Sequence, residues 1–287
     1  MKISDILSSG KPSLSFEVFP PKTEATFESV ANAVKEICTL QPSFMSVTYG
    51  AGGGTSEHTV SIASTIQNQY QVTALAHLTC ISSTKEMVEK KLSQLEKEGI
   101  ENILALRGDI PEGMNTDHLE YQHASDLASQ IAFSGKFCIG GACYPEGHPE
   151  SDNSRVDIDN VKKKVDAGCQ FLTTQMFFDN TILYNYLYKI REKGITVPIV
   201  AGIMPVTKGK QIARICKLSG SVLPPRFKAI VDKWGDNSDA MTQAGIAYAT
   251  DQIIDLLANG INGIHVYSMN NPYVASEIKK NLSYLLS

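Results

Sequence analysis

Side chains able to do acid–base or binding chemistry recur in this sequence at one kind of place, the ends of short apolar, β-branched runs. Glu17 stands in Ser-Phe-Glu-Val-Phe-Pro-Pro, and Thr48 and Tyr49 close the run that begins at Phe44. His77 falls near the end of 72–78, Arg107 and Asp109 follow 102–106, Tyr144 follows 137–143, and Gln175 lies at the end of 171–176. In an extended strand Ser15, Glu17 and Phe19 share one face, while Phe16 and Val18 share the other. A carboxylate set among aromatic side chains holds a proton more readily than one in water, which suits a general acid. The same residue could instead bridge to a buried Arg or Lys. Arg107-Gly108-Asp109 places a backbone open to close approach between two charges. Such a triplet can face a polar ring edge or a phosphate, or close a capped turn with a surface ion pair. His77 reads either as a hydrogen-bonded strand-end residue or as a ligand contact.

Several familiar chemistries fail on spacing. The segment Tyr49-Gly50-Ala51-Gly52-Gly53-Gly54-Thr55 invites a dinucleotide fingerprint, but a Gly-x-Gly-x-x-Gly read from Gly50 needs glycine at position 55. No acidic residue follows where a ribose contact would need it. The segment reads better as a turn that lets a flat ligand approach the backbone. No Walker A sequence is present, which argues against a P-loop phosphoryl transferase. The six histidines contain no His-Glu-x-x-His pattern, so no metal is expected. Lys162, Lys163 and Lys164 are consecutive. On a helix they spread over about 200° of arc, so one or two at most can face a shared ligand.

These residues need elements to position them. The apolar runs number eight, at 14–19, 44–49, 72–78, 102–106, 137–143, 171–176, 197–203 and 263–267. Segments of helical period lie between them. In 84–98, Val88, Leu92 and Leu95 form an i, i+4, i+7 stripe, with Ser83 and Glu86 as a capping box and Gly99 as the stop. Helices are also predicted at 161–167 and 180–193, each ending near a glycine. Eight alternating units predict an α/β fold of the (β/α)8 TIM-barrel type, with right-handed crossovers and the site at the C-terminal ends of the strands. An open doubly wound sheet is the alternative. The stretch 223–260 holds extra helical material before the eighth strand. No linker composition divides the chain, so residues 1–287 are expected to form a single domain.

Composition agrees. The chain has 287 residues, of which 43% are hydrophobic and 20% charged, and a formal net charge of −4. That balance fits a globular chain and leaves no general electrostatic grip for nucleic acid or an anionic membrane. No run approaches the roughly 20 apolar residues that span a bilayer. Residues 1–10 carry no apolar core of a secretory signal, so a cytoplasmic location is expected. The cysteines, at 38, 80, 138, 143, 169 and 216, contain no Cys-x-x-Cys pair. They read as small buried hydrophobes in a reducing compartment. Cys138 and Cys143 share one strand on opposite faces, too far apart to bond.

An ordered set of motifs goes further. It opens with Phe16-Glu17-Val18-Phe19-Pro20-Pro21-Lys22, Val47-Thr48-Tyr49-Gly50-Ala51-Gly52-Gly53, Ala76-His77-Leu78-Thr79-Cys80 and Leu106-Arg107-Gly108-Asp109. Tyr144-Pro145-Glu146-Gly147-His148-Pro149, Lys164-Val165-Asp166-Ala167-Gly168 and Gln175-Met176-Phe177-Phe178-Asp179 follow. Gly202-Ile203-Met204-Pro205 and His265-Val266-Tyr267-Ser268-Met269-Asn270 complete it. Over about 14 to 270 the chain resembles the 5,10-methylenetetrahydrofolate reductase family in its short bacterial form.

The resemblance implies a barrel that binds FAD without a Rossmann motif. It implies a ping-pong reaction in which NADH or NADPH reduces the flavin and methylenetetrahydrofolate then takes the hydride, supplying methyl groups for methionine synthesis. Glu17 matches the general acid that protonates N10 of the folate. Asp109 matches an aspartate near flavin and pterin, and Gln175 and Gln211 match substrate amides. For FAD the family pattern maps onto Thr48, Tyr49, Ala51, His77, Arg107, Gly108, Asp109, Ala124, Tyr144, His148, Asp157, Asn160, Lys163 and Lys164. Two positions depart from it. Asn271 stands where the family commonly carries Arg near the folate's glutamate end, which predicts a weaker grip on that carboxylate. Ile215 stands where some members place an aromatic residue over the substrate. A homo-oligomer is implied, and the regulatory domain of eukaryotic relatives is not expected. The competing readings are a Schiff-base barrel lyase, which would want a lysine at a strand end, and a flavin or folate carrier without catalysis. Glu17 and Asp109 argue against the carrier; Asn271 is the one feature for it.

Overall fold

Eight parallel strands pair in chain order, and the eighth returns to the first. They are β1 (Ser13–Val18), β2 (Phe44–Val47), β3 (Ala74–Thr79), β4 (Asn102–Leu106), β5 (Cys138–Cys143), β6 (Phe171–Thr174), β7 (Ile199–Ile203) and β8 (Gly263–Val266). The β1–β8 register, with Ser15 opposite His265, closes the barrel and excludes the open sheet. The structure is a computed structural model. It describes residues 1–21, 23–49, 56–110, 113–115 and 118–286, with the backbone alone at Glu24, Ser56 and Glu57.

Alternation along each strand sorts side chains to two environments. Leu14, Phe16, Val18, Val47, Ala76, Ile103, Ile139, Leu172, Ala201 and Ile264 face outward into the main core beneath the helices. The inward positions change character from one end of the barrel to the other. Phe44, Leu75, Leu104, Cys138, Phe171 and Val200 form an apolar layer at the N-terminal end. Above it stand Ser15, Ser46, His77 and His265, all buried, and then Glu17. The inward face turns polar where the barrel opens.

The covering helices are α2 (Phe27–Thr39), α3 (Ser56–Ser64), α4 (Lys85–Lys97), α5 (Ala124–Ser134), α6 (Ser154–Asp166), α7 (Asn180–Glu192), α8 (Gly209–Ser219) and α11 (Pro272–Asn281). In α4 the predicted stripe Val88, Leu92 and Leu95 is buried, and Gly99 follows with φ +72°. The cap is corrected by one residue. Thr84, extended at ψ 162°, accepts the Met87 N–H on its hydroxyl, whereas the Ser83 hydroxyl turns back to the Thr79 carbonyl. Helix α6 begins well before the predicted 161, because Asn153 accepts the N–H groups of Arg155 and Val156. The extra material before β8 is α9 (Pro225–Trp234) and α10 (Ser238–Ala258). Its Phe227 and Met241 join Phe178, Val206 and Ile212 in a separate buried cluster.

Helix α1 (Ile3–Ser8) is an addition to the predicted elements. Its fully buried Ile3 seals the N-terminal layer of the barrel. The Ile3 N–H donates to Asn102 Oδ1 at 2.8 Å, and Asn102 Nδ2 donates to the Met1 and Ala74 carbonyls. All six cysteines are free thiols, with Cys138 inside the barrel and Cys143 against the helices. No helix among the described residues is long and apolar enough to cross a membrane.

Candidate active site

At the C-terminal end of β1, Glu17 points into the barrel mouth with its side chain 19% exposed. Its carboxylate stands beside two imidazoles, 3.7 Å from His77 Nε2 and 3.9 Å from His265 Nε2. No Arg or Lys bridges to it among the described residues. His265 is held by two hydroxyls, Ser15 Oγ at 2.8 Å from Nδ1 and Ser46 Oγ at 3.0 Å from Nε2. The Ser15 hydroxyl spends its single hydrogen on the Ile264 carbonyl, so it accepts from Nδ1–H. In a neutral ring Nε2 then carries the lone pair and accepts from Ser46. His77 differs: burial pushes its pKa down to about 4, against an opposing pull from Glu17. Its Nε2 is buried with no hydrogen-bond partner among the described residues.

Tyr267, just past β8, edges onto the His265 ring and donates its hydroxyl to the Thr174 carbonyl at 2.6 Å. The position works because residue 202 is glycine. A Cβ there would lie 2.4 Å from that carbonyl oxygen and 2.5 Å from the tyrosine hydroxyl. Burial, and after it the neighbouring Glu17 and Tyr144, raise the phenol's pKa well above its usual value.

The loops after β4 and β5 form the other wall. Arg107 makes a two-pronged ion pair with Glu150 at 2.7 and 2.8 Å, and its Nε donates to the Gly108 carbonyl. The surface ion pair read as one alternative for the triplet is thus present. Gly108 has φ +89°, and a side chain there would be strained. Exposed Asp109 lies within electrostatic reach of Arg107 and Tyr144. Tyr144 meets the ring of His148 edge-on at 4.5 Å, and burial lifts its phenol to about 12. His148 Nδ1 accepts the Glu150 N–H at 3.1 Å, so a neutral ring carries its hydrogen on Nε2. Asp157 is buried behind this loop on α6, its pKa raised by desolvation against the pull of Lys164.

The three adjacent lysines separate as helix geometry requires. Lys164 turns under β5 and donates to the Ala142 carbonyl, and burial lowers its pKa. Lys163 is exposed and donates to Asn160, while Lys162 pairs with Asp166. Thr48 and Tyr49 stand half-buried after β2, and Ala124 opens α5. Ala51 and the glycine-rich run around it lie outside the described residues. Gln175 follows β6, its N–H bonded to the Cys143 carbonyl. Gln211 is exposed on α8. The mouth thus gathers Glu17, His77, Arg107, Gly108, Asp109, Tyr144 and His148 from β1, β3 and the loops after β4 and β5.

Four participants have no assigned role in the sequence analysis: Ser46, Glu150, His265 and Tyr267. Period two could have found His265 and Tyr267, since they lie two residues apart, one on β8 and one just past it. Nothing in the spacing points to Glu150, which lies six residues past Tyr144 in an irregular loop.

A closed (β/α)8 barrel with acid, imidazole, phenol and guanidinium groups at the strand ends places such side chains where barrels of this class carry their active sites. Residues 2–283 match the family model of methylenetetrahydrofolate reductase, and the chain belongs to that family. It is 35% identical to "Methylenetetrahydrofolate reductase (NADH) 1" of Arabidopsis thaliana over 99% of this chain and 50% of that protein. It is 33% identical to 5,10-methylenetetrahydrofolate reductase of Escherichia coli (strain K12) over 91% of this chain and 87% of that one. The chain thus spans about half the length of the plant relatives it matches and most of the bacterial ones. A protein from Clostridium thermocellum, described as binding two copies of 5-methyl-5,6,7,8-tetrahydrofolic acid, shares the fold. It superposes with a TM-score of 0.67 at 14% identity and covers 99% of each chain.

Proposed function

We propose that this chain reduces 5,10-methylenetetrahydrofolate to 5-methyltetrahydrofolate with NAD(P)H and FAD, by a ping-pong sequence, as a source of methyl groups for methionine synthesis. The observation that carries this reading is the setting of Glu17. It is an inward carboxylate at the mouth, beside two imidazoles, and among the described residues no guanidinium or ammonium pairs with it. Such a group can hold a proton and release it to a substrate.

The residues present fit a flavin. Among the described residues His77 Nε2 is a buried nitrogen without a partner and Arg107 keeps two of its five N–H donors free of protein acceptors, while Tyr144 and His148 offer aromatic edges. His77, Arg107, Gly108, Asp109, Tyr144 and His148 would hold it, with Thr48, Tyr49, Ala51, Ala124, Asp157, Asn160, Lys163 and Lys164 toward its chain. Bound FAD supplies the two-electron relay between pyridine nucleotide and folate.

The protein's own steps concern the folate. Glu17 donates its proton to N10. The bond from the bridging methylene to N10 breaks, the electron pair stays on N10, and the methylene left on N5 becomes an iminium that accepts hydride. His77, neutral above a pKa of about 4, does not compete for that proton. Gln175, Gln211 and Asp109 orient the pterin and its chain through paired donors and acceptors.

The test is an anaerobic absorbance titration. Flavin bands near roughly 450 nm should bleach with NADH and return with methylenetetrahydrofolate. Glu17→Gln should bleach as before but lose folate-driven return by about 10²- to 10⁴-fold. A colourless chain that cannot be reconstituted with FAD removes the reading. Equal loss of both half-reactions removes the role of Glu17.

A further inference from the structure

We propose that Glu150 is a positioning residue that sets the orientation and net charge of the Arg107 guanidinium toward the flavin. The inference rests on the flavin reading above and deepens it. Two observations carry it. The Glu150 carboxylate takes one N–H from each terminal nitrogen of Arg107, at 2.7 and 2.8 Å, while Arg107 Nε is fixed on the Gly108 carbonyl at 3.1 Å. With three of five donors committed in one plane, the remaining two point in set directions. The backbone of the same Glu150 is tied within the β5 loop, its N–H donating to His148 Nδ1 at 3.1 Å. One residue therefore ties the β4 loop to the ring that packs on Tyr144.

The charge count gives the consequence. Arg107 and Glu150 cancel, which leaves the carboxylate of Asp109 as the uncompensated charge of the triplet. A site with surplus negative charge disfavours an anionic reduced flavin. Neutralising Glu150 leaves Arg107 to offset Asp109, which removes that surplus negative charge and the bias with it. A merely structural ion pair makes a different prediction. With Glu150 half exposed, its loss would change stability slightly and the flavin not at all.

The experiment compares the holoenzyme with Glu150→Gln, which keeps the shape and removes the charge, and with Glu150→Asp, which keeps the charge one methylene shorter. Glu96→Gln, which breaks the exposed Lys136 pair on α4, is the control. The flavin's reduction potential is measured by anaerobic equilibration with a redox dye, and the flavin-free chains are melted in parallel. Glu150→Gln should hold reduced flavin about tenfold more tightly relative to oxidised, a rise of about 30 mV for two electrons. Glu150→Asp should restore at least half of the shift. The control should stay at the wild-type potential, and the melts should agree closely. An unchanged potential in Glu150→Gln, or an equal rise in Glu150→Asp, overturns the proposal. A wild-type chain that takes up no FAD overturns the flavin reading itself, and that failure shows before any substitution is made.

Discussion

His77 shows what burying a single titratable residue costs the fold. Burial drives its pKa from 6.5 to about 4, Glu17 opposes that fall, and His265 adds to it. The imidazole therefore stays neutral in the folded chain between those values, whereas in the unfolded chain it takes a proton. Protons bound only by the unfolded state make stability fall as pH falls. The contribution is present above pH 6.5 and lost down through about 4, at about 1.36 kcal/mol per pH unit, or roughly 3 kcal/mol in all. Denaturant unfolding of the wild type and of His77→Asn at pH 7 and pH 4 checks this. The wild type should lose about 3 kcal/mol relative to the variant across that range. A constant difference between the two would show that His77 is not held neutral. The unpartnered Nε2 makes the same point by another route, since a buried polar atom without a partner is a cost the fold alone does not repay.

At the scale of elements, strands and site differ in how far the sequence discloses them. All eight strands are legible to within two residues, because a strand covered by helices on one face and packed inside on the other reads as a continuous apolar run. Polar residues at the run ends are legible for the same reason, as interruptions of that pattern. Helix α1 is not, because six residues give too few turns for a stripe to register. The Thr84 cap is misread by one place because Ser83 and Thr84 are both good capping residues and only the backbone decides between them. Glu150 escapes because ion pairs between loops have no period. Asn271 has a structural duty in its element. It departs from the Arg of the family resemblance, and its side chain accepts the Val274 N–H at 3.3 Å as the N-cap of α11. Asn271→Arg should therefore act in two directions. Loss of the cap should cost about 1 kcal/mol of stability. The new guanidinium should tighten methylenetetrahydrofolate binding about tenfold, the scale of one charged hydrogen bond. Flavin reduction by NADH should hardly change. Thermal unfolding and the KM for folate separate the two effects, and an unchanged or weaker folate affinity defeats the second.

Across the whole molecule, apolar packing and polar groups sit at opposite ends of one barrel. The N-terminal layer of Phe44, Leu75, Leu104, Cys138, Phe171 and Val200 is apolar and sealed by Ile3. The C-terminal layer carries the carboxylate, the imidazoles and an unpartnered nitrogen. Hydrophobic burial at the closed end offsets the desolvation of polar groups at the open one, and closure through β1–β8 makes both ends part of one cooperative unit. The division predicts that the ends respond separately to substitution. Ile3→Ala leaves a cavity against the bottom layer and should cost about 2–5 kcal/mol. It touches no group at the mouth, so kcat/KM for folate reduction, measured well below the unfolding transition, should stay within about twofold, since independent distant sites add. Denaturation midpoints and steady-state rates on the same preparations decide the matter. A large fall in kcat/KM with little loss of stability would mean that the bottom layer shapes the mouth, and that the barrel transmits packing along its axis. The expected pattern, stability lost and rate kept, would assign Ile3 to the fold and leave the chemistry to the residues that ring Glu17.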